Sequence, residues 1–274
     1  MTDDRKFETS LAIQAPREAV WQALTDAREI RRWFAPEAIA EARVGGRLEW
    51  RWRELCRWEQ RIEALQPNLH LRTRYASGVD DGRGGRRPLF VDFHLEGHGG
   101  STTLRVVHSG FGAEADFDAE FDGISNGWPV ELRSLQLYLE RHRGEDRRIA
   151  WSTIATELSP EQAWLQLHAS AAFGAASMSS LEPGERFELT VPGAGVVRGS
   201  TLFCPSATEF SGVAENLDDG WLRLYCGRFG STTQVWAWLS LYAGPDERVQ
   251  TFQRAFDSVL QRQFDRLPAA ERSA

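Results

Sequence analysis

The tetrapeptide Gly-Ser-Thr-Thr occurs twice, at 100–103 and at 230–233, and each copy leads into an apolar run, LRVVHSG after the first and QVWAWLSL after the second. What surrounds the two copies also repeats, element by element. A chain of 274 residues has room for one large domain or two of ordinary size. The restart of one series of elements favours two.

The first series opens with an alternating stretch at 7–13, read as a strand. In PREAVWQALTD, Pro16 suits a helix start, and Val20, Trp21 and Leu24 share one helical face. A break near Asp26 precedes a short second helix through Ile30 and Trp33. From residue 38 the period becomes two. Leu48, Trp50 and Trp52 oppose Arg47, Glu49, Arg51 and Arg53, and the same alternation brings Trp58, Gln60 and Ile62, then Leu69, Leu71, Thr73 and Tyr75, to one side. SGVDDGRGGRRP is expected to be an exposed loop. Val91, Phe93 and Leu95 oppose Asp92, His94 and Glu96, and Leu104, Val106 and His108 oppose Thr103, Arg105 and Val107. Trp128, Leu132, Leu135 and Leu139 then predict a long amphipathic helix over 122–142, the one element able to cover the apolar face of the sheet.

The second series repeats strand (RRIAWSTIATEL) and helix (SPEQAWLQLHASAAF), with Trp164 and Leu167 at the spacing of Trp21 and Leu24. ERFELTV answers GGRLEWRW, and TEFSGVAENLDDGWLRLYCG answers CRWEQRIEALQPNLHLRTRYA. The Gly-Ser-Thr-Thr strand follows, and a last helix carries Val249, Phe252, Phe256, Val259 and Leu260. The expectation is an α+β chain with domains at 1–145 and 146–274. Aligning the two tetrapeptides puts Trp236 at the place of Val106 and Trp238 at that of His108, which predicts a second domain plugged by tryptophan.

The first half, through PREAVWQALTD, WF, VGGRLEW, EALQPNLHL, TTLRVVHSGF and NGWPVELRSLQLYLE, resembles the homologues of the activator of the heat-shock-protein-90 ATPase, within the helix-grip, START-like (SRPBCC) superfamily. The second half is similar to a degenerate copy of the same template. The resemblance implies two helix-grip domains, each a curved antiparallel sheet around a long C-terminal helix, with a cavity that holds apolar small molecules in many members. It implies no particular reaction.

A net charge of −7 gives nucleic-acid binding no electrostatic support. The start MTDDRKFETS lacks an apolar core, no stretch approaches a membrane span, and Cys56, Cys204 and Cys226 form no CxxC pair, so a cytoplasmic protein without a zinc site is expected. No nucleophile elbow or phosphate cradle is present, and no cofactor is implied. The candidate ligand-binding set is Trp50, Trp52, Trp58, Gln60, Thr73, Tyr75, Phe93 and His108 from the strands and Trp128 from the helix: large aromatics with a few polar groups, the composition of an apolar pocket with orienting hydrogen bonds. Asp92, His94 and Glu96 fall on the opposite face, where alternation predicts exposure and no metal. The expected role is non-catalytic binding of an apolar small molecule in the first domain. One alternative is a co-chaperone-like module with a chaperone or other protein partner; a cyclase or hydrolase working through His108 ranks last.

Overall fold

Pro16, with φ of −66°, ends β1 (Arg5–Ile13) and caps α1 (Arg17–Thr25). Asp26 then stops that helix and starts α2 (Ala27–Trp33), its carboxylate accepting from the backbone N–H groups of Arg28 and Glu29 at 2.8 and 3.0 Å. β2 (Glu37–Ala40), β3 (Arg47–Trp52), β4 (Cys56–Gln66), β5 (His70–Asp80), β6 (Arg86–His98) and β7 (Ser101–Phe111) follow, and α3 (Asp118–Arg141) closes the series. These positions come from a computed structural model describing residues 5–81, 84–169, 172–173 and 178–264. The chain divides into two compact units spanning 1–145 and 146–274.

In the first unit the strands form an antiparallel sheet in the order β1-β7-β6-β5-β4-β3-β2. Trp128 of α3 packs on Phe93 at 5.5 Å, so the helix covers the face that alternation marked as apolar. The helix starts four residues earlier than 122, and Pro129 lies within it. The expected loop at 77–88 is shorter than read: β5 and β6 continue to Asp80 and Arg86, which pair, and Gly82 and Arg83 lie outside the described residues. Leu69, grouped with the inward residues, sits in the turn before β5 and is exposed.

The second unit comprises β8 (Arg148–Thr156), α4 (Pro160–Leu167), β9 (Arg186–Val191), β10 (Gly195–Phe203), β11 (Glu209–Ala214), β12 (Gly220–Phe229), β13 (Thr232–Leu241) and α5 (Asp246–Gln263). Its sheet order is β8-β13-β12-β11-β10-β9, the first sheet without a counterpart of β2. Ser159 and Gln162 form a capping box at the start of α4, which ends at Leu167 with His168 as its C-cap, short of the helix predicted through Phe173; residues 170 and 171 lie outside the described residues. Both units are helix-grip domains. The sequence reading missed β10, which takes the place of β4. TEFSGVAENLDDGWLRLYCG therefore supplies the counterparts of β5 and β6, not of β4 and β5.

The predicted alignment of the two tetrapeptides is off by one residue. In the first hairpin His98 pairs with Ser101, leaving Gly99-Gly100 as the two-residue turn; in the second Phe229 pairs with Thr232, leaving Gly230-Ser231. The repeated text thus begins at the second turn position in one domain and at the first in the other. A one-residue slip sends every side chain to the opposite face. Val235, Ala237 and Leu239, not the tryptophans, join Phe252 and Phe256 of α5 in the core. Trp236 and Trp238 are buried on the other face against Trp151, with ring centroids at 5.5 and 5.0 Å. They do not plug the space between sheet and helix, and the counterpart of His108 is Leu239.

Candidate functional site: the inner face of the first domain

Cross-strand register assembles the inner wall. Trp50 of β3 stands opposite Trp58 of β4, and Thr73 of β5 opposite Val91 of β6, itself opposite His108 of β7. Residues directly opposed share a face, so Trp50, Trp58, Gln60, Thr73, Tyr75, Phe93 and His108 line one surface, and Trp128 comes down onto it from α3. The rings touch in series: Phe34 meets Trp50 at 4.8 Å and Trp52 at 5.1 Å, Trp50 meets Trp58 at 5.0 Å, and Trp58 meets Tyr75 at 5.1 Å, all edge to face. Phe34, at the C-terminus of α2, is the member of this wall that the sequence reading did not include. Its position after Trp33 in a short helix gave no strand period by which to find it.

A directional chain of hydrogen bonds runs through the wall. The indole N–H of Trp128 donates to Nδ1 of His108 at 3.2 Å. The ring proton therefore resides on Nε2, which donates to the Tyr75 hydroxyl at 2.9 Å, and that hydroxyl donates to Glu120 Oε1 at 3.3 Å. Glu120 also accepts from the backbone N–H of Gly78 at 3.2 Å. Burial pushes the His108 imidazole down to about 3, raises the Tyr75 phenol, and raises the Glu120 carboxyl. His108 is a neutral link whose two nitrogens are both engaged by the protein, an arrangement that leaves a general base no free lone pair. Beside this chain, Thr73 Oγ1 donates to Gln60 Oε1 at 2.5 Å.

Three polar groups on the same wall have no protein partner among the described residues: Trp50 Nε1, Trp58 Nε1 and Gln60 Nε2, each shut off from solvent. All three are donors.

On the opposite face, alternation places Asp92, His94 and Glu96 together. Glu96 is exposed as predicted, whereas Asp92 is buried. Arg72 donates to one of its oxygens at 2.6 Å and His70 stands 2.7 Å from the other. His94 stacks on His70 at 4.5 Å with the rings within 10° of parallel. The ligand atoms of His70, Asp92 and His94 lie within 4.8 Å of one another. Near-parallel rings aim their lone pairs along separate planes, however, so no single point receives both. Glu49 is likewise buried on the outer face, bridged by Arg47, Arg51 and Arg57, with the Arg57 guanidinium foremost in holding its carboxyl below the usual range.

Residues 14–140 match the sequence profile of the family described as Activator of Hsp90 ATPase homolog 1-like protein. The first domain is similar to this family over those residues. Among solved structures, the first domain is similar to the Mesorhizobium loti protein MLL2253, with 25% identity, 50% of this chain and 98% of that one covered, and a TM-score of 0.45. It is similar also to the Aha1 dimer of Colwellia psychrerythraea, at 24% identity over 51% of this chain and 99% of that one, with a TM-score of 0.44. DynU16, a putative protein of the dynemicin biosynthetic locus, aligns with 93% of this chain and 95% of its own at 17% identity and a TM-score of 0.43. No curated protein matches the chain. No helix among the described residues is long and apolar enough to cross a membrane.

Proposed function

We propose that the first domain holds an apolar small molecule against its inner wall, without catalysis, while the second domain is a sealed copy. One observation carries this reading. Register equates Trp50, Trp58 and Tyr75 with Leu189, Val197 and Ala214 of the second sheet. Those three are 0% exposed, whereas Trp58 and Tyr75, together with Trp52, are only half-buried although they face the covering helix. An aromatic wall whose rings keep some exposure to solvent suits a flat apolar guest. The second interior has no such slack: a Cβ added at Gly212, the counterpart of Thr73, would lie 2.7 Å from the Phe187 ring. The three free cysteines suit a reducing cytoplasm, where we place the protein.

Native mass spectrometry of the chain purified from its own host tests the proposal directly. A bound mass lost on Trp58→Ala substitution is expected. A ligand-free protein that also fails to displace an environment-sensitive dye would refute it.

The family match favours a second reading, in which the first domain acts on a chaperone of the kind the family is named for. Stimulation of a heat-shock-protein-90 ATPase by the purified chain would establish it; an unchanged rate would remove it.

A further inference from the structure

We infer that the guest of the first domain presents hydrogen-bond acceptors, carbonyl or ether oxygens on a flat apolar body, to the indole N–H groups of Trp50 and Trp58 and to the amide N–H of Gln60. The inference rests on the binding function proposed above and specifies the chemistry of the ligand.

Buried donors without partners are rare in folded proteins, because each forfeits its hydrogen bond to water. Here three occur on one face of two adjacent strands, with Trp50 directly opposite Trp58 and Gln60 two residues further along β4. The protein does satisfy their neighbours. Trp128 has His108, Thr73 has the Gln60 oxygen, and Tyr75 has Glu120. The fold does not require the three donors either. The second domain builds the same strands with Leu189, Val197 and Gly199 at those places and leaves no polar side-chain atom there. Because the unmet groups are donors alone, a guest that matches them offers lone pairs. A protonated amine or a bare hydrocarbon leaves the donors unmet.

The test compares 2-acetylnaphthalene with 2-ethylnaphthalene, near-isosteric probes of which only the first carries an acceptor, by equilibrium dialysis against the full chain. About tenfold tighter binding of the ketone is expected, the effect of one buried hydrogen bond. Trp50→Phe and Trp58→Phe, which keep an aromatic ring and drop the N–H, and Gln60→Met are then measured singly, with near-ultraviolet circular dichroism to verify folding. The preference, the ratio of the two affinities within each variant, should shrink toward one in at least one folded variant. Equal affinity of the parent for both probes, or a preference that survives in every variant, overturns the inference and leaves the binding function standing. Failure of both probes to bind the parent overturns the binding function, and the inference with it.

Discussion

Thr102 and Thr233 occupy the same place in the two domains. Each is buried in the last strand of its sheet and donates its hydroxyl to a backbone carbonyl two residues beyond its partner on the first strand, Ala15 at 2.8 Å and Leu158 at 2.6 Å. The bond ties the exit of the first strand to the hairpin that ends the sheet. Replacing either threonine with valine keeps the volume and leaves a carbonyl unmet. Each substitution should cost about 1–3 kcal/mol, read from urea unfolding of the single variants.

Trp238→Ala should cost about 3–5 kcal/mol, the usual range for a buried tryptophan. The loss falls on the outer face of the second sheet, where the Trp238 indole also donates to Ser240 at 2.9 Å. Ligand binding in the first domain should not change. Calorimetric melting beside a probe titration separates the two effects; a variant that melts like the parent contradicts the packing described.

Acid should weaken the first domain through His108. Folded, its imidazole stays neutral down to about 3, while in the unfolded chain it titrates near 6.5. Between these values the unfolded state binds the extra proton. The contribution is therefore complete above pH 6.5 and declines by about 1.4 kcal/mol per unit as pH falls toward 3. His168, brought down to about 4 by burial in the second domain, acts in the same direction. Urea midpoints between pH 4.5 and 7 should show a shallower slope for His108→Gln than for the parent.

Burial raises all three thiols, with Cys204 pushed up to about 11. At pH 7.5 little thiolate is available for attack. 5,5′-Dithiobis(2-nitrobenzoate) should react slowly with the native protein and titrate all three cysteines in guanidinium. Rapid labelling of the native protein would show the burial to be wrong.

Much of the first domain was legible because its strands alternate cleanly. Trp50, Gln60, Thr73, Phe93 and His108 are buried on the face that parity assigned to them, and Trp128 on the helix face that its spacing assigned. Parity cannot report what an outward charge meets once there. Asp92, expected to be exposed, is closed over by Arg72 and His70, and Glu49, on the same outer side, by three arginines. In the second domain the strand that takes the place of β4 was missed because Gly199 interrupts its apolar series. A Cβ there would lie 1.7 Å from the Val213 carbonyl oxygen, so the gap is a packing requirement that looks like a break in the text. Trp236 and Trp238 were assigned to the wrong side because a shared tetrapeptide was taken to fix register, whereas the turn residues fix it.

The offset between the repeated text and the equivalent positions bears on how the two halves can be recombined. A hybrid joined at the common Gly-Ser-Thr-Thr would import its last strand one residue out of phase, turning two indoles toward the covering helix and the small apolar side chains toward water. A junction drawn through Thr102 and Thr233 keeps each side chain on its own side. For this chain, the stretch where the halves read most alike is an unsafe place to exchange them.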